Sequence, residues 1–126
     1  MEEVAKMEVI SMIVKDEFGV MQRIMGEFTR KRINVETIVV GKCEVPGKAR
    51  VVLSVISKEM ADIAVERLGR LHDVEDVEIV DEPRQSAYAL ISTSKGWVGL
   101  IGSRDEVAEI IEKTEPEHYI KTVNAL

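Results

Sequence analysis

Cysteine is nearly absent: Cys43 stands alone among 126 residues, so no disulfide can form within the chain. That suits a reducing compartment, and a cytoplasmic location is the expectation. Cys43 falls in an expected loop with no base nearby in sequence, so it reads as incidental rather than catalytic. Long apolar runs are also missing. No stretch reaches the ~20 residues a membrane span needs, and the opening lacks a signal-peptide pattern. Clustered positive charge is scarce, with Arg30-Lys31-Arg32 the single basic run and a net charge of −6. Phosphate neutralisation needs more than that, which argues against direct nucleic-acid binding. The run itself suits a helix C-terminus, where cations are favoured. No Gly-x-Ser-x-Gly, P-loop, dinucleotide fingerprint or helix-turn-helix is visible. Nothing suggests a carboxylate pair in a dry pocket, so the chain is not expected to be an enzyme, and no cofactor is implied.

What is present is a folded-protein composition, 45% hydrophobic and 32% charged. The segment rich in Val, Ile and Met from Met7 to Val14 reads as a strand apolar on both faces, hence central in a sheet. Val20, Met21, Ile24, Met25 and Phe28 form one helical stripe, with Gln22, Arg23, Glu27 and Arg30 on the other side. Residues 34–41 read as a second strand, Pro46-Gly47 as a turn and residues 50–56 as a third strand. Ser57 can cap a helix to about Leu71, with Met60, Ala64, Leu68 and Leu71 inward. Residues 74–80 give a fourth strand.

The order β-α-β-β-α-β over residues 7–81 predicts an α+β fold, a ferredoxin-like layer with both helices on one face of an antiparallel sheet. The second strand is expected at a sheet edge. Its apolar Val35, Ile38, Val39 and Val40 make pairing with a second copy the simplest protection. Glu82-Pro83-Arg84-Gln85 reads as a linker. The C-terminal stretch, residues 82–126, is expected to be a short β-β-α-β extension, with a turn at Ser94-Lys95-Gly96 and a capping box at Ser103 and Glu106. It is too short for an independent core and is expected to pack on the first half or on a second chain. Trp97 is expected in a core or at a subunit interface. His72 reads as a cation-tolerant helix end, and Glu115, Glu117 and His118 as a weak metal-ligand pattern.

The junction from Asp16 to Met21 is the most informative place. Gly19 lets the backbone turn from strand to helix. The helix start behind it leaves N–H groups unpaired, a setting suited to a small anion such as an amino-acid carboxylate.

Residues 14–38 carry a resemblance. Gly19, Arg23, Gly26, Phe28, Asn34, Glu36 and Thr37 fall in register with the opening of an ACT domain, closest to the type in the regulatory small subunit of acetolactate synthase. The resemblance covers about residues 7–80. It implies a homodimer or higher homo-oligomer that binds a branched-chain amino acid, usually valine, between two ACT domains. By position it implies a ligand site of Asp16, Phe18, Gly19, Val20 and Met21, with Asn34 reaching in from the neighbouring chain. It also implies a partner, a thiamine-diphosphate-dependent catalytic subunit that this chain would regulate. Residues 1–81 would be the amino-acid-binding domain.

Three departures stand out. Asp16 replaces the usual Asn, and its charge would repel a nearby carboxylate. Arg32 replaces a helix-ending Gly, so the helix is expected to end without a left-handed cap. The C-terminal half is shorter than in the typical small subunit. Two other functions fit the same residues: a ligand-responsive signalling or transcriptional co-regulator, and a dimerisation module whose site has decayed.

Overall fold

A computed structural model describes residues 7–125. Its strands are β1 (Glu8–Lys15), β2 (Thr37–Lys42), β3 (Lys48–Val55), β4 (Val74–Val80), β5 (Gln85–Thr93), β6 (Gly96–Ser103) and β7 (Tyr119–Ala125). The helices are α1 (Val20–Arg30), α2 (Lys58–Leu68) and α3 (Arg104–Thr114). Two sheets result, ordered β2-β3-β1-β4 and β6-β5-β7. All strand pairs are antiparallel. The first sheet with α1 and α2 is the expected ferredoxin-like α+β layer, with β1 central and β2 on an edge.

Alternation along β1 divides its side chains between two cores. Ile10, Met12 and Val14 face the helices, joining Val20, Ile24 and Phe28 of α1 and Ala61, Ala64 and Leu68 of α2. Val9 points to the opposite face, where it meets Val52, Val80, Ala87, Ala89, Ile91 and Val123, with Val107 and Ile111 of α3. The second half therefore covers part of the sheet face that the ferredoxin-like layer leaves open. Both cores explain why β1 is apolar on both sides.

Helix boundaries follow local chemistry. Ser57 caps α2 by accepting from the Met60 N–H at 3.2 Å. Ser103 caps α3 from the Glu106 N–H at 3.2 Å, the first half of the expected capping box. The end of α1 corrects the expectation drawn from Arg32. Arg32 adopts φ 55°, the left-handed conformation glycine would supply. Its N–H reaches Thr29 O at 3.1 Å, and the Ile33 N–H reaches Phe28 O at 2.9 Å. Those two bonds, with Ile33 and Phe28 both buried, make a Schellman closure. Burying Ile33 against Phe28 overrides the steric objection to a side chain at position 32.

Other boundaries shift slightly. β2 begins at Thr37 rather than 34, because residues 33–36 close the helix end and turn into the strand. Gln85 is not linker but the first residue of β5, and it is buried. Its amide donates to Val80 O at 2.8 Å and accepts from Arg104 Nη1 at 3.0 Å. Arg104 also donates to Met7 O at 3.1 Å, tying α3 to the first sheet. Trp97 lies in no core; it is 57% exposed.

Candidate functional site

The strand-to-helix junction is held from three sides by backbone bonds. The Lys15 N–H donates to Asp73 O and the Asp16 N–H to Gly47 O, each at 3.0 Å. The Val20 N–H reaches Glu17 O at 3.4 Å. Gly19 is the N-cap of α1 at φ 85°, and no side chain accepts from the first turn. A left-handed glycine without a capping side chain, with the Val20 N–H turned back to Glu17, leaves the next N–H groups of the first helical turn directed outward. The positive end of the helix dipole adds to them, so the chemistry favours an anion.

Arg23, one turn on, folds back over this place. Its Nη1 would lie 3.3 Å from a Cβ added at Gly19. Its Nε donates to Asp73 Oδ2 at 2.5 Å. Asp73 is 2% exposed and sits just before β4. The hydrogen bond from Arg23 holds the Asp73 carboxyl below its ordinary range against the opposing effect of burial. The charges of Arg23, His72 and Lys15 act in the same direction as that bond. A buried carboxylate therefore fixes a half-exposed guanidinium beside an uncapped helix start. Helical periodicity alone puts Arg23 on the outer face. The missing signal was Asp73, which follows α2 and joins the site only through tertiary packing.

The expected site residues divide. Asp16 and Phe18 are exposed at the junction, Phe18 completely so. Val20 is 1% exposed and belongs to the core, leaving only its backbone to face a ligand. Met21 is partly buried against that core. Asn34 is not brought to Gly19 within one chain. It lies beyond the far end of α1, roughly 16 Å along the helix axis, and its amide donates to Glu36 Oε1 at 3.1 Å.

A polar groove of about 460 Å³ lies elsewhere, over Ser11, Ile13, Arg50 and Asp76 on the opposite sheet face. Its guanidiniums are committed: Arg50 donates to Ser11 Oγ at 3.1 Å and Arg84 to Glu78 Oε1 at 2.9 Å. Among the described residues no three His, Cys, Asp or Glu side chains converge as metal ligands. No helix among them is long and apolar enough to cross a membrane.

Residues 10–76, more than half of the chain, match the model of the AHAS small subunit-like ACT domain. The chain belongs to this family. The match runs from Ile10 in β1 to Asp76 in the first half of β4, with the Gly19 junction inside it. A probable acetolactate synthase small subunit from Methanothermobacter thermautotrophicus is 47% identical over 45 residues, 36% of this chain and 27% of that protein. The acetolactate synthase small subunit of Buchnera aphidicola subsp. Schizaphis graminum is 28% identical over 80 residues, 64% of this chain and 49% of that protein. The matched regions span about a quarter to a half of these relatives' length. The crystal structure of the acetolactate synthase small subunit from Thermotoga maritima superposes with a TM-score of 0.71. At 22% identity and 96% coverage of both chains, that likeness shows that the fold extends beyond the ACT domain.

Proposed function

We propose that this chain is a non-catalytic regulatory protein that binds a small amino acid at its Gly19 junction and tunes an acetolactate synthase catalytic subunit. Residues 1–81 serve as the ligand-binding domain and 82–126 as an extension packed against it. The observation that carries the reading is the uncapped, glycine-opened start of α1 with Arg23 fixed beside it by buried Asp73. The N–H groups and the guanidinium suit the ligand carboxylate, and Asp16 suits its ammonium. Family membership and the names of the relatives support the partner assignment.

The site is completed by a second copy. β2 is an edge strand with Ile38, Val39 and Val40 each about 40–50% exposed. Its Lys42 end shares a row with Ala49 and Val14, beside the strand end that leads to Gly19. Antiparallel pairing of two β2 edges about a twofold axis lays one strand's Thr37 end against the other's Lys42 end. That brings Asn34 of the partner subunit towards Gly19 and gives fully exposed Phe18 a surface to cover. Binding would then be linked to the paired state, and a catalytic partner would respond if its two states differ in affinity for the liganded form.

Calorimetry with valine, leucine and isoleucine at up to millimolar concentration tests the proposal. Saturable heat with at least one, abolished by Gly19→Asp, is the expected outcome. Absence of heat with all three rejects the ligand assignment. In that case a persisting dimer would favour a dimerisation module with a decayed site, the alternative supported by the exposed Asp16 carboxylate at the mouth of the junction.

A further inference from the structure

The second half covers only part of the first sheet's open face. Alternation along β1 sends Val9, Ser11 and Ile13 to that face. Val9 lies under the second half, in the core the two share. Ser11 and Ile13 lie farther along and floor the polar groove of about 460 Å³. Strand register sets Arg50 of β3, Ile13 and Asp76 of β4 in one row across it. Ser11 and Glu78 stand side by side in the next row. A cation, a partly buried apolar side chain and an anion therefore follow one another over three adjacent strands.

The two charged walls do not neutralise each other. Arg50 donates through Nη1 to Ser11 Oγ, a neutral hydroxyl on a residue only 3% exposed. The carboxylate beside Arg50 is Glu44, at 3.4 Å and largely exposed, so water screens much of that pairing. These bonds hold the guanidinium over Ser11 and leave its charge weakly offset. Asp76 makes no hydrogen bond or ion pair among the described residues.

We propose that this groove is a second binding site, for an α-amino acid with a polar side chain. The ligand ammonium pairs with Asp76 and its carboxylate with Arg50, each through a charge-assisted bond. The spacing fits. Asp76 and Ser11 are diagonal neighbours on paired strands, roughly 7–8 Å apart. With a bond of about 2.8 Å at each end, the remaining gap suits an ammonium and a carboxylate carried by one carbon. Ile13 lies beneath that carbon. The ligand side chain then extends towards Glu78 and Arg84, an ion pair at 2.9 Å. A primary amide can donate to that carboxylate and accept from that guanidinium, so glutamine or asparagine suits the groove better than an aliphatic amino acid. The volume lies within the range of small-molecule sites. The groove shares no residue with the Gly19 junction, and its occupancy does not depend on that site.

Calorimetry of the full chain with glutamine and asparagine, with valine as the contrast, tests the proposal. Gly19→Asp blocks the junction, so heat that remains in this variant reports on the groove. The expected result is saturable heat with glutamine or asparagine at millimolar concentration or below, equal in wild type and Gly19→Asp. Valine should give none in Gly19→Asp. Asp76→Ala, at an exposed strand position, should retain the far-ultraviolet spectrum and weaken binding by about 10-fold or more. Arg50→Gln should do the same. N-Acetylglutamine, which lacks the ammonium, should not bind. Absence of heat with both amides at millimolar concentration overturns the proposal. So does heat that disappears in Gly19→Asp, because the ligand would then occupy the junction. Binding unchanged by Asp76→Ala overturns it as well.

Discussion

Replacing Arg32 with glycine should stabilise the protein. Arg32 holds φ 55° so that Ile33 can close the end of α1 and bury against Phe28. For an L-residue, that left-handed backbone costs on the order of 1–2 kcal/mol. Glycine removes the steric cost but gives back about 0.5–1 kcal/mol through the greater freedom of its unfolded chain. Losing one cation past the helix end costs about 0.3 kcal/mol, since Arg30 and Lys31 remain. The net gain from Arg32→Gly is about 0.5 kcal/mol, which for a chain this size raises Tm by roughly 2 °C. Arg32→Ala is the control. It loses the same charge but keeps a Cβ in the left-handed position, so it should not gain. The difference between the two variants is about 0.7 kcal/mol, or roughly 3 °C. Differential scanning calorimetry at one fixed protein concentration measures it, the fixed concentration removing any contribution from association. If Arg32→Gly melts at or below Arg32→Ala, the strain argument is wrong.

Three further outcomes follow from the site and the second core. Arg23→Gln should destabilise the protein most at neutral pH. The Asp73 carboxyl is held below its ordinary value, so its contribution is present above about pH 4 and is lost as pH falls through the lowered value. The melting gap between wild type and variant should therefore narrow on acidification, and a gap constant from pH 7 to pH 3 would refute the pairing. Asp16→Asn should weaken binding of a neutral amino acid by about 2- to 10-fold, because the charge facing the ligand ammonium is removed; unchanged or tighter binding by calorimetry would place the ammonium elsewhere. Arg104→Ala strands Gln85 Oε1 and Met7 O without that donor and should cost about 1–3 kcal/mol. Faster amide exchange confined to β5, β7 and α3 is the expected signature, and uniform exchange across both sheets would argue against a local tie.

The sequence by itself determined the α+β order, the central place of β1, the edge position of β2 and the turn at Gly19. Each depends on contacts within a few residues or on simple periodicity. Alternating or continuous apolarity sets burial on one face or both, and glycine is the residue that reaches φ 85° without strain. The helical stripe likewise marked Val20, Ile24 and Phe28 as core.

Tertiary structure decided what periodicity cannot express. Arg23 looks outward on a helical wheel, yet its partner Asp73 lies 50 residues away and becomes adjacent only when β4 docks beside β1. Glu27 is drawn inward in the same way by Arg67 of α2, at 3.2 Å. Arg32 looks unsuited to a left-handed turn, and only the burial of Ile33 against Phe28 makes it take one. Gln85 reads as linker until Arg104 and Val80 supply its bonds. Asn34 is separated from Gly19 by the full length of α1, so a site that includes both needs a second copy. For Arg23, Glu27 and Gln85 the deciding energy comes from pairing with Asp73, Arg67 and Arg104, groups far away in sequence, and that information exists only once the chain has packed.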